Sequence, residues 1–136
     1  MSEAGAGEIH RGRCLCGGVR YEVTGALPPA VACHCTQCRR QTGHFFVSAD
    51  IATTDISLTG SEHIRWYEAS ALARRGFCGR CGSFLFWMRP DSGRLAIALG
   101  SLDRPTGTMI DRHIFVADKG DYYEIDDGAP QFSGGD

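Results

Sequence analysis

The chain has 136 residues, 43% of them hydrophobic and 22% charged. That is the composition of one globular domain, and it excludes both a disordered chain and two full cores. The net charge of −2 argues against general affinity for nucleic acid or an anionic membrane.

Residues 1–11 read as a loose Gly- and Ala-rich tail, 12–132 as a single domain and 133–136 as a closing tail. The N-terminal MSEAGAGEIH has neither the basic start nor the apolar stretch of a signal peptide, so the cytoplasm is the expected compartment. Cys14-Leu15-Cys16 runs into the hairpin-type turn Gly17-Gly18, and residues 19–23 then alternate apolar and polar as a strand does. Thr24-Gly25 and Pro28-Pro29 mark a loop. Residues 31–35 read as extended, and 36–41 as a short helix capped by Thr36. Further strands are predicted at 45–48, 56–59, 64–67, 84–88, 95–99 and 114–116. The longest apolar run, 84–88, is far too short to span a bilayer. Residues 118–127, with five acidic side chains against Lys119, read as a solvated edge. No segment carries a long 3.6-residue period, so the predicted fold is mainly β, a folded-over sandwich or open barrel.

The seven cysteines are the informative feature. A reducing compartment keeps thiols free, and an odd number leaves one over from any disulfide framework. Clustered cysteines in such a chain read as a metal site. They fall into Cys14-x-Cys16, Cys33-x-Cys35-x-x-Cys38 and Cys78-x-x-Cys81. Two residues apart on a strand, both sulfurs lie on one face. In a C-x-x-C knuckle the chain turns back and both sulfurs can meet one ion. Zinc suits soft thiolates in tetrahedral sets.

Seven divide as four plus three. Spacing alone admits two groupings. Cys14, Cys16, Cys78 and Cys81 can close one site, leaving Cys33, Cys35 and Cys38 as a local triad. Alternatively, Cys14 and Cys16 join Cys33 and Cys35. The first is preferred because a single turn can hold a local triad rigidly. Zinc on three thiolates carries a net charge of −1, which suits a fourth thiolate better than the making of hydroxide. A thiol substrate is therefore expected, with Cys33, Cys35 and Cys38 as the reactive centre. Arg39 directly follows the triad and is a candidate to hold a substrate carboxylate, whereas Arg40 reads as a solvated turn residue. His34 should point to the face opposite the two flanking ligands and play a structural part. His44 and His113 read as packing residues.

The segments G-R-C-L-C-G-G-V-R-Y (12–21), C-H-C-T-Q-C-R-R-Q-T-G (33–43), R-R-G-F-C-G-R-C-G-S-F-L-F (74–86), L-G-S-L-D (99–103), R-H-I-F-V (112–116) and D-D-G-A-P-Q-F (126–132) together resemble the glutathione-dependent formaldehyde-activating enzyme family, which includes centromere protein V. The resemblance runs from about residue 12 almost to the end and takes in all seven cysteines. It implies a mainly β zinc fold, the β-tent, and two zinc ions per chain. One is structural, on Cys14, Cys16, Cys78 and Cys81; the other is labile, on Cys33, Cys35 and Cys38. The implied activity is carbon–sulfur bond formation and cleavage, with glutathione and formaldehyde giving S-hydroxymethylglutathione. The family often carries Trp where this chain has Tyr122. Three functions compete: this lyase, a related enzyme on another small thiol, and a zinc-stabilised binding module. A nucleic-acid or membrane partner is not expected.

Overall fold

A computed structural model of the chain describes residues 7–135. Alternating side chains build β1 (Ile9–Arg13) and β2 (Arg20–Thr24), each with its second and fourth residues buried. They pair antiparallel, Arg13 opposite Arg20, and the turn between them carries Cys14 and Cys16. β3 (Ala30–Cys33) is followed by the only α-helix among the described residues, α1 (Thr36–Thr42). After β4 (Phe46–Ala52), β5 (Ile56–Thr59) joins β2 and completes a three-stranded sheet.

The remaining strands are β6 (Ile64–Glu68), β7 (Arg74–Cys78), β8 (Phe84–Met88), β9 (Arg94–Ala98) and β10 (Ile110–Ile114). With β3 and β4 they form a seven-stranded sheet in the order β10-β3-β4-β9-β8-β7-β6. Its strands pair antiparallel except β10, which lies parallel to β3. The fold is thus mainly β, two sheets folded over one another, as expected. No helix among the described residues is long and apolar enough to cross a membrane.

The period of two sorts the large sheet into two faces. Ile51, Leu95, Ile97 and Phe86 pack with Tyr21 and Val23 of the small sheet, and with Val19 just before it, in one core. Tyr21 meets Phe86 edge-on, with ring centroids 5.8 Å apart. Full burial of one such side chain contributes roughly 1.5–3 kcal/mol. The alternate positions Cys33, Phe46, Ser48, Asp50, Ala96, Arg112 and Ile114 face a cavity instead. The functional face is therefore the back of the core face.

Several local expectations are corrected. β1 begins at Ile9 and takes in the last residues of the expected 1–11 tail, because backbone pairing with β2 holds it without an apolar run. The helix cap is Cys35, not Thr36: Cys35 is extended and its Sγ accepts from the Cys38 N–H at 3.3 Å. β7 escaped the sequence reading because its Arg-Arg-Gly start is polar; it forms because β6 and β8 pair with it on both sides. The last strand ends at Ile114, since Phe115 turns to a left-handed φ of 57°. Residues 118–127 are more than a solvated edge, because Tyr123 and Asp127 reach back to buried histidines. In the expected closing tail, the Gly134 carbonyl accepts from the Phe115 N–H at 2.8 Å. Residues 1–6 of the expected N-terminal tail, and residue 136, lie outside the described residues.

Candidate metal and thiol site

Cys14 and Cys16 come from the β1–β2 turn, and Cys78 and Cys81 from the end of β7 and the knuckle after it. Their four Sγ atoms lie within 4.8 Å of one another. The Cys14–Cys16 and Cys16–Cys78 sulfurs are 3.6 and 3.9 Å apart. Sulfurs at about 2.3 Å from a tetrahedral zinc would be about 3.8 Å apart, so this donor set fits the ion. Backbone N–H groups of Val19, Gly18 and Arg80 donate to the Sγ of Cys14, Cys16 and Cys78 at 3.3, 3.4 and 3.4 Å. Such bonds stabilise thiolates. Hydrogen bonding to Ser83, above all from its hydroxyl at 3.2 Å, pulls the Cys81 thiol down to about 5.

The second cluster is local. Cys33 ends β3, Cys35 caps α1 and Cys38 lies in its first turn, with the three sulfurs within 4.8 Å of one another. None of the seven cysteines is in a disulfide. Hydrogen bonds from Cys33 first, then Cys38, hold Cys35 far down, at about 2, and the bond with Cys35 pushes Cys33 up. Three converging sulfurs of which one already favours the anion suit a soft cation with a coordination position left open. The structure brings together the same two cysteine sets that the sequence reading preferred.

The triad opens on a cavity of about 540 Å³. Val31, Phe46, Trp87 and Phe115 give it apolar walls, and Arg75, Arg89, Arg94 and Arg112 give it a basic character against the single acid Asp50. Arg94 is held by Asp50, its Nε 3.5 Å from Oδ2. Arg39 is not among the residues lining this cavity. Neighbours on a helix are about 100° apart, so Cys38 and Arg39 cannot face the same way. Arg39 Nε is buried without a hydrogen-bond partner, and Arg40 is exposed as expected.

The four lining arginines were missed. Arg75 stands three residues before Cys78 on the same strand, and nothing local sets it apart from Arg74. It is 3% exposed, and its Nη2 donates to Cys38 Sγ at 3.3 Å.

Behind the triad, His34 is fully buried. Its Nε2 lies 2.8 Å from His113 Nδ1, and its Nδ1 meets the Tyr123 hydroxyl. His113 Nε2 lies 2.8 Å from Asp127 Oδ2. A carboxylate only accepts, so His113 donates from Nε2 and accepts from His34 at Nδ1. His34 then accepts from the Tyr123 O–H. Burial, chiefly, lowers the His34 pKa to about 4, which keeps the neutral form this chain of bonds requires. Outside it, His44 Nδ1 lies 2.7 Å from the Tyr122 hydroxyl.

The sequence model of the family described as glutathione-dependent formaldehyde-activating enzyme matches residues 9–118, which include both cysteine clusters. An uncharacterized lyase of Schizosaccharomyces pombe is 30% identical over 78 residues, 57% of this chain and 56% of that one. The match thus spans little more than half the length of that relative. A Rhodobacter sphaeroides protein of known crystal structure superposes with a TM-score of 0.59 at 26% identity, covering 69% of this chain and 88% of that one.

Proposed function

The chain belongs to the glutathione-dependent formaldehyde-activating enzyme family, and from that premise we propose that it is a zinc-dependent carbon–sulfur lyase acting on a small thiol adduct. The preferred reaction joins glutathione and formaldehyde as S-hydroxymethylglutathione. The observation that carries this reading is the open triad of Cys33, Cys35 and Cys38 on a cavity rich in arginine. The lyase name of the Schizosaccharomyces pombe relative supports it.

Cys14, Cys16, Cys78 and Cys81 would hold a structural zinc, and Cys33, Cys35 and Cys38 a second one. When bound at the triad, zinc supplies positive charge that keeps a fourth sulfur as thiolate at neutral pH. Arg89, Arg94 and Arg112 would receive the carboxylates of the thiol. The cavity walls would hold the sulfur beside the carbonyl carbon. Holding both reactants in this way is the main source of rate, because thiols already add to formaldehyde unaided. The sulfur pair forms the S–C bond, the C=O π pair moves to oxygen, and one proton leaves sulfur while one joins oxygen. Reversal releases the aldehyde.

The test is Cys35→Ser. Metal per chain should fall from about two to about one, because one of three ligands is lost while the four-sulfur site is untouched. The fold should persist, and catalysis of glutathione–formaldehyde exchange above the uncatalysed rate should vanish. An unfolded variant would place Cys35 in the structural site. Wild-type protein no faster than the uncatalysed exchange would end the formaldehyde reading.

A further inference from the structure

Arg75 is buried on β7 and donates to Cys38 Sγ and Gln41 Oε1, both at 3.3 Å. Its Nε is buried without a hydrogen-bond partner. Among the described residues, no carboxylate lies within ion-pair distance of it. A buried guanidinium without an anion is strongly unfavourable. Of its hydrogen-bond partners, only Cys38 can carry a negative charge.

Charge arithmetic then gives Arg75 a task. Three thiolates and a divalent cation sum to −1, and the guanidinium beside Cys38 brings the cluster to zero. A thiolate ligand would meet a neutral site with Arg75 in place and a like charge without it. We propose that Arg75 sets the affinity of the triad for thiolates by cancelling its surplus negative charge, resting on the reading that the triad holds a divalent metal and takes a thiol. Arg75 is a positioning residue for the sulfur. It differs in this from Arg89, Arg94 and Arg112, which face the rest of the ligand. If Arg75 were only a strut between β7 and α1, its loss would lower stability and leave thiol affinity alone.

The experiment uses full-length protein with zinc in the four-cysteine site and Co(II) in the triad. It is titrated with 2-mercaptoethanol, which has no carboxylate, and the near-ultraviolet sulfur-to-cobalt charge-transfer band is followed. Arg75→Gln should raise the apparent Kd about tenfold at unchanged metal content, the size of one nearby charge at a partly buried site. Arg75→Lys should stay within about threefold, since it keeps the charge. Gln41 is exposed, so Gln41→Glu should fold normally. Its carboxylate would satisfy Arg75 from the other side and weaken the thiol several-fold. Unchanged affinity in Arg75→Gln overturns the proposal, and should that variant not fold, unchanged affinity in Gln41→Glu does so. Wild-type protein that takes no Co(II) at the triad, or takes it and binds no thiol, overturns the proposed function and this inference with it. Wild-type binding that the variants match overturns the inference alone.

Discussion

Asp127 shows how much one exposed side chain can organise. Its carboxylate orients His113, which orients His34, which lies between two cysteines of the triad. The hydrogen bond from His113 first, with the Ala129 N–H, holds the Asp127 carboxyl below its usual value. A carboxyl whose folded pKa is depressed binds fewer protons folded than unfolded. Its contribution is therefore complete above the unfolded pKa and lost as pH falls through the folded one. Asp127→Asn should melt below wild type at pH 7, and the gap in melting temperature should close as pH falls below the usual carboxylate range. A gap that stays constant down to pH 3 would show that the charge of Asp127 plays no part.

At the scale of elements, the four-sulfur cluster depends on how closely the β1–β2 turn is pressed by the loop after β5. Gly60 has a φ of 82°, and a Cβ there would come within 1.8 Å of the Gly18 carbonyl oxygen. That backbone is two residues from Cys16 and cannot give way freely. Gly60→Ala should thus combine left-handed strain with overpacking and cost roughly 2–4 kcal/mol. It should also loosen the structural metal while sparing the triad, as read by the rate of metal loss to a chelator. Equal rates for both ions in this variant would contradict the independence of the two clusters. The helix makes a similar point in miniature. A seven-residue helix is marginal alone, yet α1 has its first turn tied by Cys35 Sγ to the Cys38 N–H, so the cysteine triad and the helix cap are one structure.

For the molecule as a whole, the two cysteine clusters should differ in what their loss does. Cys16 and Cys78 are 62 residues apart; the first lies in the turn joining two strands of the small sheet, the second ends a strand of the large one. An ion joining them would close a long loop, and its binding energy would be folding energy. Cys81→Ser should therefore abolish cooperative melting, in contrast to Cys35→Ser. A Cys81→Ser protein with wild-type melting temperature would show that the sheets hold together without the ion. Stability would then reside in the core between Phe86, Ile97, Tyr21 and Val23.

Spacing and local periodicity decided much of this protein before any fold was known. Cys-x-Cys and Cys-x-x-Cys confine sulfurs to a few ångströms through local geometry alone. The alternation of residues 19–23 and the unbroken apolar run 84–88 read as strands without any tertiary context. His34 was readable as the back of the triad because strand neighbours point to opposite faces. The arginines were not readable, since no local rule distinguishes Arg75 from Arg74 or Arg39. Which of them meets the thiols depends on the large sheet bringing β7 against α1, 37 residues away in sequence. Tyr123 and Asp127 likewise gain partners only when a polar segment returns across β10. Local spacing determined the three cysteine groups, while how they combine and the charge around them were decided by contacts between distant segments, which only the packed sheets create.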